Sequence, residues 1–252
     1  MRDASARPDE GQRPFLRAGW HDLVLLNYEV DPAILQPRVP AGTELDEWRG
    51  RHYVSLVGFR FTRVRVLGCA VPFHTSFPEV NLRFYVRRRA GNEWRRGVVF
   101  VREVVPRRAV TWVARTLYGE PYITCPMRVE QTDGPDGRWH RYAWRYRDRW
   151  QTIGARVEGA AAPLVDGSEA EFITEHYWGY TRQRRRDGRE SATLEYRVAH
   201  PRWQVWSARE WQCEVDVSAM YGEDFVPFLH GEPRSVFVAD GSPIEVHAGV
   251  RV

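Results

Sequence analysis

The segment PEVNLRFYVRRR, Pro78 to Arg89, sets a carboxylate, an amide and a guanidinium at alternate positions: Glu79, Asn81 and Arg83. In an extended strand these three share one face at about 7 Å per step, while Val80, Leu82, Phe84 and Val86 share the other. A guanidinium can grip a carboxylate through two parallel hydrogen bonds, and a glutamate enclosed away from water gains a raised pKa suited to proton transfer. If the polar face is enclosed, the row suits a small polar ligand. If it faces water, the row is a solvated strand face, and spacing alone leaves both readings open.

Strand-like runs dominate the elements that must position this row. His21 to Val30 alternates as a strand, and in DPAILQPRVP Asp31 caps a short helix with Pro32 in its first turn. Further strands are expected at about 51–66, 79–89 and 94–105, with RAGNEW turning between the last two. Val110, Val113, Ala114 and Leu117 recur at helical spacing before Gly119 and Pro121 stop the helix. Strands resume at about 121–131, 139–148 and 151–159. SEAEFITEHYWGY then begins with a capping box, Ser168 to Glu171, and predicts a short helix with Phe172, Ile173, His176 and Tyr177 on its buried stripe. Strands at about 191–199, 203–215 and 234–249 complete the chain. Without regular βαβ alternation, the pattern predicts a mostly β (α+β) chain: a closed or nearly closed antiparallel β-barrel or sheet with a few short helices. Residues 1–14 read as a loose polar arm and 15–252 as a single domain.

Composition removes several kinds of chemistry. All 37 basic residues are arginine, so no side-chain amine exists to form a Schiff base. Cys69, Cys125 and Cys213 lack the CxxC spacing of a metal or redox site, and the eight histidines show no HxH or HExxH. No metal and no cofactor is therefore expected. No GxSxG elbow is present. No apolar run approaches the roughly 20 residues that span a bilayer, and a cytoplasmic protein without a membrane partner is expected.

A net charge of +4 raises a nucleic-acid partner as an alternative. In WHRYAWRYRDRW, Trp139 to Trp150, arginines interleave with aromatics as they do in single-strand binders. With period two, however, His140, Tyr142, Trp144 and Tyr146 form an apolar face and Arg141, Arg145, Arg147 and Arg149 a wet one. RQRRRDGR, Arg182 to Arg189, reads as a charged hairpin tip around Asp-Gly.

Taken in order, GWHDLVLLNYEVDPAILQPRVPAGTELDEWRGRHYVSLVGFRF, FPEVNLRFYV, GVVFVREVVPRRAVTWVARTLYGEPYITCPM, FITEHYWGYTR and VAHPRW resemble the bacterial YqjF-like family of unknown function. That family belongs with the acetoacetate-decarboxylase-like fold, and the match runs from about Trp20 to about Ser207. The resemblance implies an internal cavity. In acetoacetate decarboxylase such a cavity holds a Schiff-base lysine, an arginine for the substrate carboxylate, and glutamates; a lysine-free chain keeps the shape and loses that mechanism.

The family's recurrent positions fall on Glu79, Asn81 and Arg83, on Arg115, Pro121 and Tyr122, on Thr174, Glu175 and Tyr177, and on His200 and Trp203. Glu79 is the catalytic candidate. Asn81, Arg83, Arg115, Tyr122, Glu175 and His200 are the ligand-binding candidates. Structural alternatives stand beside them: Arg115 docking its helix, Glu175 in solvent, His200 anchoring the turn before Pro201. The expected partner is a small carboxylate or carbonyl compound, with a homo-oligomer as the protein partner this reading admits. If the chain is an enzyme, lyase- or hydrolase-like acid-base chemistry without lysine is expected. A non-enzymatic sensor or carrier using the same cavity is the alternative.

Overall fold

The alternation around Arg83 becomes a strand, Phe77–Ala90, at the centre of a large sheet. The computed structural model describes residues 13–184 and 190–252. The greater part of the expected loose arm, and Arg185 to Arg189 of the expected basic tip, lie outside the described residues, as does the side chain of Leu117.

In spatial order the long strands of this sheet are Ser235–Val246, Leu16–Val30, His52–Val66, Phe77–Ala90, Glu93–Val105, Trp178–Arg184 and Glu190–Ala199. Glu190–Ala199 pairs back onto Ser235–Val246 through Val198 and Ala199, so the sheet is nearly ringed. Most pairings are antiparallel, as expected. Trp178–Arg184 and the short strand Tyr122–Thr124 each run parallel to Glu93–Val105. A separate four-stranded sheet, in the order Glu210–Glu214, Arg149–Val157, Gly137–Tyr146, Met127–Gly134, covers part of the outside.

Period-two alternation divides the apolar residues between two cores. Val24, Leu26, Val54, Leu56, Val80, Leu82 and Phe84 face outward onto Tyr142, Trp144, Ile153 and Ala155 of the covering sheet. Leu23, Leu25, Tyr53, Val57, Phe59 and Tyr85 face inward and pack with Phe172, Ile173 and Trp203. Gly58 allows the close approach of the covering sheet, since a Cβ there would lie 2.6 Å from the Tyr142 ring. The aromatic face of Trp139 to Trp150 is thus spent in the core: Tyr142 and Trp144 are fully buried, and the stacking surface a single-strand binder needs is absent there.

The helices follow their local signals. Asp31 accepts a hydrogen bond from the Ala33 amide at the start of Pro32–Leu35. Ser168 accepts from the Glu171 amide at the start of Glu169–Thr174. Arg108–Val113 runs on into a wider turn, Ala114–Tyr118, that ends at Gly119 with φ +70°.

Three expectations are corrected. The run at 121–131 breaks at Cys125 and Pro126 into Tyr122–Thr124 and Met127–Gly134, which enter different sheets. The run at 203–215 likewise divides into Gln204–Ser207 and Glu210–Glu214, again in different sheets. His176 and Tyr177 lie beyond the helix, which ends at Thr174: His176 is buried and joins the inner core from the following loop, against Tyr85 and Phe172, while Tyr177 is half-buried. Among the described residues no helix is long and apolar enough to cross a membrane.

Candidate ligand-binding cavity

Inside the nearly ringed sheet lies a cavity of about 240 Å³. Phe59 and Val57 stand opposite Glu79 and Asn81 across the strand pair, so the alternation that buries those apolar side chains also turns the polar row inward. Trp20 adds an aromatic wall, its ring 5.4 Å from Phe59 and 6.3 Å from Trp203. Thr174, His176, His200 and Trp203 line the cavity beside Arg83.

A register irregularity does the rest. Asn81 pairs with Glu103, but Arg83 pairs with Phe100, because one extra residue is accommodated between these pairs. The bulge brings both Phe100 and Glu103 to the cavity lining. Tyr122 is held next to Glu103 by its parallel pairing. Gly119 closes the preceding helix in a left-handed turn, and Glu120 directly after it enters the same space.

Glu79, Glu103 and Glu120 are thereby gathered in one wall, only 2, 2 and 5% exposed. Asn81 donates to Glu79 at 3.0 Å and the Tyr122 hydroxyl donates to its other oxygen at 2.8 Å. Thr181 and Tyr196 donate to Glu120, Tyr196 at 2.7 Å. Tyr196 reaches that oxygen because its cross-strand partner is Gly179, whose missing Cβ leaves room for the ring. Burial pushes Glu79 and Glu120 up to about 7 against these hydrogen bonds. Burial, with Glu120 and Glu79 as like-charged neighbours, pushes Glu103 well above the usual carboxylate range.

The opposite charge sits apart from this wall. Arg83 is 9% exposed, donates from one terminal nitrogen to the Ile173 carbonyl at 3.2 Å, and has no partner for its Nε. Among the described residues no carboxylate pairs with it, which is rare for a buried guanidinium. His200 is held down at about 4 by burial, with Arg83 adding repulsion, and is therefore neutral at pH 7. Its Nδ1 lies 2.9 Å from the Pro201 carbonyl, which can only accept. The proton is thus on Nδ1, and Nε2 keeps its lone pair. The same ring stacks on Trp203 at 4.4 Å, so His200 both anchors the turn and lines the cavity.

The structure therefore brings Glu79, Asn81, Arg83, Tyr122 and His200 into one lining and leaves out two other candidates. Arg115 is exposed on the far side of its helical turn. Glu175 ends its helix outside the lining and accepts a hydrogen bond from Tyr177. Sequence reasoning missed Glu103, Glu120 and Tyr196. A carboxylate inside the apolar run VVFVREVV was the available signal for Glu103. Glu120 was hidden in a helix-stop signal, and Tyr196 in an ordinary strand.

Comparison with known proteins gives a consistent picture. A family model, DUF2071, described as an uncharacterized conserved protein, matches residues 17–243. The chain is 29% identical over 222 residues to the uncharacterized protein YqjF of Bacillus subtilis (strain 168), covering 86% of this chain and 85% of that one. Among solved structures it resembles acetoacetate decarboxylase from Legionella pneumophila with a TM-score of 0.65 at 14% identity, over 99% of this chain and 92% of the other. It also resembles the enduracididine biosynthesis enzyme MppR, with a TM-score of 0.66 at 12% identity, over 99% and 98% of the chains. That MppR structure is a complex with the condensation product of pyruvate and imidazole 4-carboxaldehyde. At such identities the likeness is one of fold, which is acetoacetate-decarboxylase-like.

Proposed function

The chain belongs to the DUF2071 family, and on that premise we propose that its cavity binds a small organic acid or carbonyl compound, with a carboxylate seated on Arg83. The observation that carries this reading is the buried, unpaired guanidinium. Enclosing a cation without a counter-charge costs free energy that an anionic ligand would recover, and the free Nε offers one prong of a two-pronged grip. MppR, of like fold, has been solved in complex with pyruvate, which supports an organic acid as the class of ligand.

Turnover, where it occurs, is acid-base chemistry such as hydration, enolisation or hydrolysis. Glu79 is the proton carrier: held at about 7, it exchanges protons near neutrality, and Tyr122 and Asn81 fix both of its oxygens. Neutral His200 supplies a second basic atom near the carboxylate end. Schiff-base decarboxylation is excluded by the absence of lysine. A pure carrier or sensor would have no need of titratable groups tuned toward pH 7, and their presence favours catalysis.

A thermal-shift comparison of short-chain and 2-keto acids with their methyl esters tests the reading. An acid at one hundred times its Kd stabilises the folded state by about 2.7 kcal/mol. For a chain of this size that raises Tm by roughly 5–10 °C. The esters, which present no charge to Arg83, leave Tm unchanged. Equal shifts from acid and ester, or none from either, would remove Arg83 from the proposal.

A further inference from the structure

Beside Trp20 Nε1 and His176 Nδ1, the cavity lining carries unfilled hydrogen-bonding groups of opposite kinds at two ends of the polar row. At Arg83 a donor lacks an acceptor. One step along the sheet, the buried Glu103 Oε2 and Asn81 Oδ1 are acceptors that lack a donor. Asn81 and Glu103 are cross-strand partners, so the two orphan acceptors are neighbours. The nearest donors are engaged with the carboxyl groups: Asn81 with Glu79, Tyr122 with Glu79 and Glu103, Thr181 and Tyr196 with Glu120. Among the described residues no cation stands beside the three carboxyl groups of this wall, and burial favours their neutral forms.

We propose that this acidic wall receives a protonated nitrogen, so that the ligand is an amino or guanidino acid whose carboxylate lies on Arg83. This deepens the organic-acid reading and rests on it. A carbonyl oxygen at the wall would be one more acceptor competing with Asn81 Oδ1 for the single proton of a neutral Glu103. An ammonium or guanidinium brings three or five donors and no acceptor, and so satisfies both orphan atoms. It also supplies the counter-charge that lets an enclosed carboxyl of this wall, kept protonated by burial, give up its proton. Among the described residues no three His, Cys, Asp or Glu side chains converge to hold a metal ion, and a spread organic cation suits the wall better. Arg83 lies one side-chain step from Asn81, about 7 Å along the strand. That span selects a ligand with about three to five carbons between its charges.

Matched pairs read this directly by isothermal titration. The pairs are 5-aminopentanoate against hexanoate, 4-aminobutanoate against pentanoate, and 4-guanidinobutanoate against 4-ureidobutanoate. In each the two molecules have nearly the same shape and differ in the charge at one end. In at least one pair the cationic member is expected to bind tenfold or more tightly than its neutral partner. Glu103→Gln, which keeps shape and removes charge, should bring that ratio toward one. If the neutral member binds as well or better in every pair, the inference is wrong and the organic-acid reading stands. If no member of any pair binds, both fall.

Discussion

The apo protein is expected to lose stability as pH rises from 6.5 to 8.5, and Glu103→Gln to flatten that loss. Glu79, Glu103 and Glu120 hold their protons more tightly folded than unfolded, so over the intervening pH range the native state binds more protons. Stability dependent on these protons is fully present below about 4.5, the unfolded value, and is lost as pH rises through about 7 and beyond. Three histidines work the other way: His176, at about 3, His200, at about 4, and His140 are depressed chiefly by burial, and stability linked to them increases with pH up to about 6.5. The two groups oppose each other between about 4.5 and 6.5, and above that only the carboxylates remain.

A rise from 4.5 to about 7 in Glu79 or Glu120 corresponds to about 3 kcal/mol each at alkaline pH. Removing the Glu103 charge relieves its own burial and its repulsion of both neighbours. A gain in Tm of several degrees at pH 8.5, with little change at pH 6, is expected. Thermal denaturation at the two pH values measures it. A wild-type Tm that is flat or rises between 6.5 and 8.5 would show that the three carboxylates are not enclosed as described.

Arg83→Met is expected to cost at least a hundredfold in affinity for a carboxylate ligand while leaving the apo protein as stable or more so. Ordinarily, truncating a buried charged residue strands its partner. Here no ion partner exists among the described residues to strand, and the variant gives up the bond to the Ile173 carbonyl and the guanidinium's place 5.7 Å from the Tyr85 ring. Methionine fills similar volume among Phe100, Thr174 and Trp203 without a charge to desolvate. Loss of affinity on removing a buried charge partner runs to about 2–5 kcal/mol, which spans the stated factor. Arg83→Lys should fall between, because an ammonium keeps the charge and loses the planar two-pronged geometry. An unstable Arg83→Met protein would mean that the guanidinium serves the fold.

The legible parts of this fold are those written in local periodicity. PEVNLRFYV names both of its faces, because a strand buried on one side and polar on the other alternates with period two. Asp31 and Ser168 name their helices, since each side chain satisfies an amide two or three residues away. Breaks between sheets are set by long-range packing, so the single runs at 121–131 and 203–215 hid two strands each. Glu103 was illegible for a related reason: the bulge that turns it inward is a property of the pairing, and strict alternation from Phe100 puts it on the other face. Glu120 and Tyr196 meet across 76 positions of sequence, which no local pattern encodes. Arg115 and Glu175 came from family resemblance alone, and their surroundings give them no place in the cavity.

Carboxylate binding in this cavity depends on one atom group, the free Nε–H of Arg83, which nuclear magnetic resonance can observe directly. In ¹⁵N-labelled protein the Arg83 Nε–H signal is the one absent from the Arg83→Met spectrum. Its burial predicts slow exchange with water. Titration with a series of carboxylic acids from acetate to hexanoate, with pyruvate and 5-aminopentanoate added, is predicted to move this signal to lower field as a charged acceptor engages it. The corresponding methyl esters are predicted to leave it in place. A signal that stays fixed throughout the acid series would contradict the claim that this cavity is built around a carboxylate on Arg83.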